Sequence, residues 1–255
     1  MTNKKFLLIP LVSFLSPNVY AEQPQDDHEE EQNSFMMGIF VGKDKSIYVG
    51  GEDKTRVNPY LSGEWGNIYL QGPALGYKLY DQGDLTISTE IELDGIFNDD
   101  RDNSAELSDM TSLDSVFMVG VNTSYETDYG EFEWSVKADV SNSHDGFKSQ
   151  LSYSYPFFVS GWRVSPELSV EWASEEINQY YYGVSAADVR ENRPFYEAKS
   201  GINYEVGISA MYPFKKRHAI MLRAGYQKFS SEITDSPIVD EKSTTEFGLG
   251  YIYRF

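Results

Sequence analysis

The residues best suited to nucleophilic or acid–base chemistry lie in one short sequence, Ser143-His144-Asp145. A serine hydrolase needs a hydroxyl beside a histidine base, with a carboxylate that orients the histidine. The other two histidines supply no second set, because His28 falls in an acidic leader and His218 at the start of a strand pattern. Asn, Ser, Asp and Gly around His144 are common turn formers. The sequence therefore predicts a hairpin turn and no catalytic residues.

Metal and cofactor chemistry has little support in the sequence. Residues 26–31 (DDHEEE) and 98–103 (NDDRDN) are acidic, but their ligand spacing does not match a calcium-binding EF-hand loop. The chain has no cysteine, which excludes thiolate ligands and disulfides. It also has no glycine-rich phosphate loop. We expect no metal site and no cofactor.

The N-terminus has the pattern of an export signal. Lys4 and Lys5 precede an apolar run too short to span a bilayer as a helix, and Val19-Tyr20-Ala21 fits a cleavage site. Residues 1–21 are therefore predicted to be a signal peptide, and residues 22–33 a disordered acidic leader. The net charge of −19 argues against a nucleic-acid partner.

The rest of the chain alternates between apolar and polar residues. In residues 129–142, for example, Phe132 and Trp134 alternate with Glu131 and Glu133. Such runs reach ten residues or more, whereas strands of soluble sheets are usually about five or six residues long. Aromatic residues make up 15% of a chain whose mean hydropathy is only −0.46. Long alternating strands rich in aromatic residues are typical of membrane barrels, in which lipid-facing and lumen-facing residues average out.

The strand count and the lengths of the connections predict one domain, residues 34–255. The fold predicted is a transmembrane antiparallel up-and-down β-barrel of about 12 strands. A ten-strand version remains open, because Gly72-Pro73 could bend one long strand. Short connections alternate with long ones, as periplasmic turns alternate with extracellular loops. The predicted strands are 34–43, 57–64, 66–72, 74–80, 84–94, 113–125, 129–142, 146–156, 161–173, 202–213, 217–230 and 243–255.

The inward faces of these strands carry many charges. Buried charges must be paired or hydrated, so the predicted interior is either a cross-linked plug or a narrow cation-preferring channel. The segment 173–200, with Tyr180-Tyr181-Tyr182, either folds inward to close the barrel or packs its aromatic residues at the outer rim. The main candidate lumen charges are Glu131, Glu133, Lys137, Asp139, Arg163, Glu167, Glu171 and Arg223; Glu90, Glu92, Asp94, Lys148, Glu205, Glu246 and Arg254 have the same predicted orientation.

The chain ends on an alternating aromatic strand, EFGLGYIYRF. Its aromatic face is predicted to contact outer-membrane lipid, and the strand to pair with the first strand near residues 35–41, which leaves no open edge. The same face is a candidate signal for the barrel-assembly machinery. The residues of this face are Phe247, Leu249, Tyr251, Tyr253 and Phe255.

Several motifs of the last third resemble the MipA/OmpV family of Gram-negative outer-membrane proteins. They are Tyr181-Tyr182-Gly183-Val184-Ser185, Arg193-Pro194-x-Tyr196, Ser236-Pro237-Ile238-Val239 and the terminal Tyr-Arg-Phe.

This resemblance implies an outer-membrane barrel, and the lack of a second histidine–carboxylate set predicts that it is not an enzyme. In the best-known members it also implies a scaffold between a membrane-bound lytic transglycosylase and a class A penicillin-binding protein in murein turnover. A narrow pore or a surface adhesin is the alternative. On the periplasmic side the basic cluster Lys215-Lys216-Arg217 is interpreted as an interfacial set with snorkelling side chains, with a docking site as the second interpretation.

Overall fold

The computed structural model describes residues 34–94, 101 and 104–255. The predicted signal peptide, the acidic leader and most of the acidic segment 98–103 lie outside these residues and stay predictions. Strands dominate the described part. They are β1 (Ser34–Asp44), β2 (Lys54–Trp65), β3 (Ile68–Gln71), β4 (Ala74–Gln82), β5 (Leu85–Asp94), β6 (Val116–Thr127), β7 (Gly130–Asp139), β8 (Phe147–Ser154), β9 (Phe157–Val159), β10 (Trp162–Ala173), β11 (Gly201–Lys215), β12 (His218–Lys228) and β13 (Ser243–Arg254).

The strands form one closed antiparallel barrel. Strands that follow one another in sequence pair, except β8 and β9, and β13 pairs with β1. β8 and β9 lie in one register against β10, with Ser154 opposite Glu167 and Phe157 opposite Val164. They are therefore one strand of the wall, interrupted near Pro156. The wall has twelve strands, which confirms the larger of the two predicted counts.

Several predicted strand ends differ from the structure by one to three residues, and two further differences change a turn. The predicted turn 157–160 is a two-residue turn, because β9 continues the wall to Val159. Ser160 and Gly161 both have positive φ, 50° and 82°, the conformation that closes a two-residue hairpin between twisted strands. The third predicted strand, 66–72, is only the four-residue β3, since Gly66 and Gly72 have positive φ and form turns at its two ends.

Short turns and long segments alternate around the barrel. On one side, residues 66–67, 83–84, 128–129, 160–161 and 216–217 connect strands by two residues each. On the other side lie the long described segments 45–53, 104–115, 174–200 and 229–242, together with the shorter connections 72–73 and 140–146. We assign the short turns to the periplasm and the long segments to the outside. Within the described part of the outer segments lie two short helices, α1 (Glu175–Tyr182) and α2 (Ser231–Thr234). Among the described residues, none of the helices has the length and apolar character needed to cross a bilayer.

Exposure alternates along the strands. On β10, Leu168 and Val170 are exposed while Glu167 and Ser169 are buried. Because the sheet is closed, the buried face points into the barrel and the exposed apolar face points to lipid. The last strand pairs with β1 from Met36 opposite Arg254 onward, as predicted from the sequence.

An apolar cluster on the inner wall was not predicted. Phe40, Tyr60, Met221 and Ile252 pack together on β1, β2, β12 and β13. The ring of Phe40 lies directly against Gly248, where a Cβ atom would collide with it. The sequence analysis emphasised charges on this face, so the apolar part of the interior was missed.

Candidate functional site: the inner wall and the outer cap

The inner wall carries a ladder of ion pairs on β5, β7 and β8. The Nζ atom of Lys137 lies 2.7 Å from a Glu90 carboxylate oxygen and 2.6 Å from one of Glu92. The Nζ atom of Lys148 lies 3.3 Å from Glu92 and 3.1 Å from Asp94. These five side chains are adjacent because alternate residues of neighbouring strands share a face. We call them the lysine ladder.

A second set lies on β11, β12 and β13. Arg223 donates from Nε to Glu246 at 3.1 Å and from an Nη atom to Glu205 at 3.3 Å. Its side chain is only 6% exposed, so the pairing compensates a nearly complete loss of hydration. Charges on both sides of the barrel are therefore cross-linked between strands.

The other predicted lumen charges have different surroundings. Glu131 and Glu133 accept hydrogen bonds from Ser124 and Asn122, and are not part of the lysine ladder. Arg163 lies near the periplasmic end and lines a cavity of 180 Å³ together with Glu126 and Glu131.

Three further predicted charges complete this set. Glu167 is buried on β10, and Glu171 accepts a hydrogen bond from Asn203. Asp139 lies at the outer end of β7, where its carboxylate accepts backbone N–H groups of the following turn, including that of His144 at 2.8 Å. Its role is to fix that turn.

The interior is largely occupied by the chain's own side chains. Lys137, Glu90, Arg223 and Glu167 are each less than a tenth exposed, and the apolar Met221 is 1% exposed. A wide water-filled channel would leave such side chains hydrated. The burial therefore argues against a wide channel and fits the cross-linked plug.

The outer segments form a folded unit over the mouth of the barrel. We call segments 45–53, 104–115, 174–200 and 229–242 the outer cap. Four separate segments meet in its apolar core, which is possible only when the loops pack on one another rather than extend into water. The core residues are Ile47, Tyr48, Leu107, Met110, Val184, Ile233, Ile238 and Val239.

Helix α1 attaches the outer cap to the inner wall. Ile177 and Tyr181 of α1 pack against Val116 and Met118, which belong to the buried face of β6. Tyr48 of another cap segment lies with its hydroxyl 3.5 Å from the carbonyl oxygen of Tyr181. Segment 173–200 therefore folds inward, the first of the two alternatives that the sequence left open.

A buried arginine holds two cap segments together. Arg193 donates to the carbonyl oxygens of Asp188 and Glu106 at 2.8 and 3.2 Å, and to both carboxylate oxygens of Asp109 at 2.9 and 3.0 Å. Burial alone would raise the pKa of Asp188, but hydrogen bonds from Ser185 and Thr111 outweigh it and hold the pKa below its usual value. The sequence pointed to Arg193 through a motif, but did not predict these partners.

The remaining motif residues also belong to the cap. The hydroxyl of Ser236 donates to the carbonyl oxygen of Tyr182 at 2.6 Å, so the two motif segments contact each other. Val184 is fully buried, and Gly183 lies where a Cβ atom would collide with Gln179. Pro237 follows Ser236 in the same cap segment, and Ser185 contacts Asp188.

The sequence Ser143-His144-Asp145 forms a turn and not a catalytic arrangement. The Nδ1 atom of His144 accepts the N–H of Gly146 at 2.9 Å, and its ring packs against Tyr180 and Tyr181. Burial lowers the pKa of His144, although the nearby carboxylate of Asp139 opposes this effect. The hydroxyl of Ser143 pairs with Ser141 at 3.0 Å and not with the histidine.

Comparison with known proteins identifies the relatives of this capped barrel. The model of the family described as MltA-interacting protein MipA matches residues 37–255. The chain belongs to the MipA family. It is 25% identical to the MltA-interacting protein of Escherichia coli (strain K12), over 88% of this chain and 91% of that protein. It is also 25% identical to outer membrane protein OmpV of Vibrio cholerae, over 99% of this chain and 100% of that protein.

A solved structure, that of the NanC porin, resembles the barrel with 10% identity and a TM-score of 0.48, over 85% of this chain and 98% of that one. The MipA-family relatives and the closed barrel place the chain in the outer membrane and confirm the family resemblance of its motifs.

Proposed function

We propose that this MipA-family chain is a non-enzymatic interaction protein of the outer membrane. The observation that carries the proposal is the outer cap, which is folded onto a barrel whose inner wall is filled and cross-linked. Such a barrel is suited to present fixed surfaces, and ill suited to steady transport. Its function then lies in the partners that its rims and lipid-facing wall contact.

The partner class follows from the relatives. A relative that matches most of the chain is named MltA-interacting protein, which supports a lytic transglycosylase as the first partner. A class A penicillin-binding protein would be the second partner in the same assembly, as the family resemblance implies. The periplasmic turns are only two residues long, so a periplasmic partner would contact a nearly flat ring. Lys215, Lys216 and Arg217 form a basic cluster on that ring and are its candidate contact site.

A crosslinking experiment tests this role. A photo-crosslinking residue at Lys216, on the periplasmic ring, is expected to capture a transglycosylase in living cells. The same residue at Lys199, which is also exposed but lies outside, is the matched control. Capture from neither position, together with no transglycosylase in a mild-detergent pull-down, would contradict the proposal.

A narrow cation-preferring pore is the second candidate. It is favoured by inward carboxylates that the lysine ladder does not neutralise, among them Glu131, Glu133 and Glu167. Single-channel recording on the refolded protein distinguishes the two functions. A steady cation-selective conductance that falls in the E131Q/E133Q variant would support the pore, and silence would support the interaction protein.

A further inference from the structure

Four lysines surround the outer end of a short part of the barrel wall. Lys43 ends the lipid-facing row of β1 that includes Ile39 and Val41, and its side chain is 64% exposed. Lys228 ends the corresponding row of β12. Lys45 and Lys242 follow and precede the neighbouring strands β1 and β13.

The strand pairing brings these lysines together. Lys228 is opposite Ser243, the first residue of β13, and Lys242 directly precedes that residue. The backbone N–H of Lys45 donates to Thr245, on the other side of β13. Adjacent strands are about 5 Å apart, so the backbones of the four lysines lie within the width of three strands. We call these residues the lysine rim.

Another part of the outer rim is acidic. Above β6, β8 and β10, the described residues that are exposed and charged are Asp114, Asp145, Glu175 and Glu176. The exposed Lys199, which precedes β11, is paired with Glu175 and Glu197. Among the described side chains at the outer strand ends, the exposed bases without an ion pair therefore lie at β12 and β13, which indicates a specific contact there.

Nearby carboxylates neutralise only part of the lysine rim. The Nζ atom of Lys45 lies 2.6 Å from Glu241, and that of Lys43 lies 3.9 Å from Asp53. Within the described part of the chain, Lys228 and Lys242 form no ion pair. Exposed pairs of this kind are weak, so the ammonium groups stay available to an anion that reaches the boundary.

The surface directly below the lysine rim is apolar. Val41, Leu222, Phe247 and Leu249 are exposed on the same three strands. The combination of cations above and an apolar wall below matches an amphiphile with an anionic head and acyl chains. A soluble anion would use the lysines but not the wall, and an acidic protein would not need a lipid-facing wall.

We propose that the lysine rim binds the phosphate groups of a phosphorylated glycolipid of the outer leaflet, with its acyl chains along β12, β13 and β1. This lipid contact is independent of the partner proposed above. It would orient one side of the barrel toward bound lipid.

Native mass spectrometry of the detergent-extracted protein, with lipid A added, tests the proposal. A lysine near an anionic surface contributes about 1 kcal/mol, a factor of about five, so K228Q/K242Q should bind lipid A roughly thirtyfold more weakly. The K228R/K242R variant keeps the charge and should bind normally. K215Q/K216Q removes two charges on the periplasmic side and is the matched control. Retained heat-dependent gel mobility establishes that each variant is folded.

Three results would overturn the proposal. Equal binding by K228Q/K242Q and K215Q/K216Q would show that these lysines do not select the lipid. Equal binding of lipid A from which the phosphates have been removed would show that the phosphates are not recognised. Loss of binding on addition of EDTA would assign the contact to a divalent cation held by carboxylates, and not to the lysines.

Discussion

The strongest structural prediction concerns Arg193, whose guanidinium joins two segments of the outer cap. In Arg193→Met the side chain at this position keeps a similar length and its apolar stem, but every hydrogen bond of the guanidinium group is lost. The side chain of Asp109 is 47% exposed, so its carboxylate regains water and the loss of the ion pair with Arg193 costs little. The carbonyl oxygens of Asp188 and Glu106 lose their partner inside the cap.

The expected loss of cap stability follows from these contacts. An unsatisfied buried polar group costs about 1–3 kcal/mol, so two carbonyl groups give about 2–6 kcal/mol for the local unfolding of the cap. The strands of the barrel do not involve Arg193, so the barrel should remain folded. Local opening of the cap should therefore become at least roughly thirtyfold more frequent without global unfolding.

Limited proteolysis of the folded protein in detergent measures this opening. The cleavage rate within segments 104–115 and 174–200 should rise at least roughly thirtyfold in Arg193→Met, because it follows the open population when closing is fast. Arg190→Met is the matched control, since Arg190 contacts the same Asp109 at 2.8 Å but is 47% exposed. An exposed pair contributes at most about 1 kcal/mol. Equal cleavage of the two variants would refute the role given to Arg193.

Three further predictions concern the ladder, the turn and the C-terminus. Lys137→Met leaves two buried carboxylates without their shared cation, so the temperature of the heat-induced gel shift should fall, whereas exposed Lys215→Met should not change it. Because burial lowers the pKa of His144, folding favours the neutral ring; this contribution is complete above the ordinary pKa of about 6.5 and is lost as the pH falls below it. Protease protection of α1 should therefore decline in mild acid in the parent protein, and a decline of equal size in His144→Gln would contradict the assignment. Polar residues added after Phe255 should reduce the fraction of chain recovered as heat-modifiable barrel in outer membranes, and unchanged recovery would exclude the terminal strand as an assembly signal.

The sequence was sufficient to predict the barrel because each wall strand shows the same alternation of lipid-facing and inward-facing residues. Phe132 and Trp134 point to lipid and Glu131 and Glu133 point inward, whatever the neighbouring strands are. Alternation has a period of two residues that does not depend on tertiary contacts. The pairing of the terminal strand with β1 also followed, because an open edge is not tolerated in a membrane.

The partners of the inward charges could not be deduced in this way. Alternation places Lys137 and Glu92 on the inner face, but only the register of β5, β6 and β7 decides that they meet. A shift of register would bring other residues together. For the same reason, the position of Phe40 against Gly248 was not visible in the sequence.

The outer cap is the part of the structure that the sequence predicted least. Its segments have no repeating period, and Tyr48, Leu107, Val184 and Ile238 meet although they are far apart in the chain. The motifs of the sequence marked some of these positions without showing that they form a core. The sequence by itself determined the wall, because strand alternation is local; only the tertiary structure decided that the wall is filled and capped, because those contacts join residues distant in sequence.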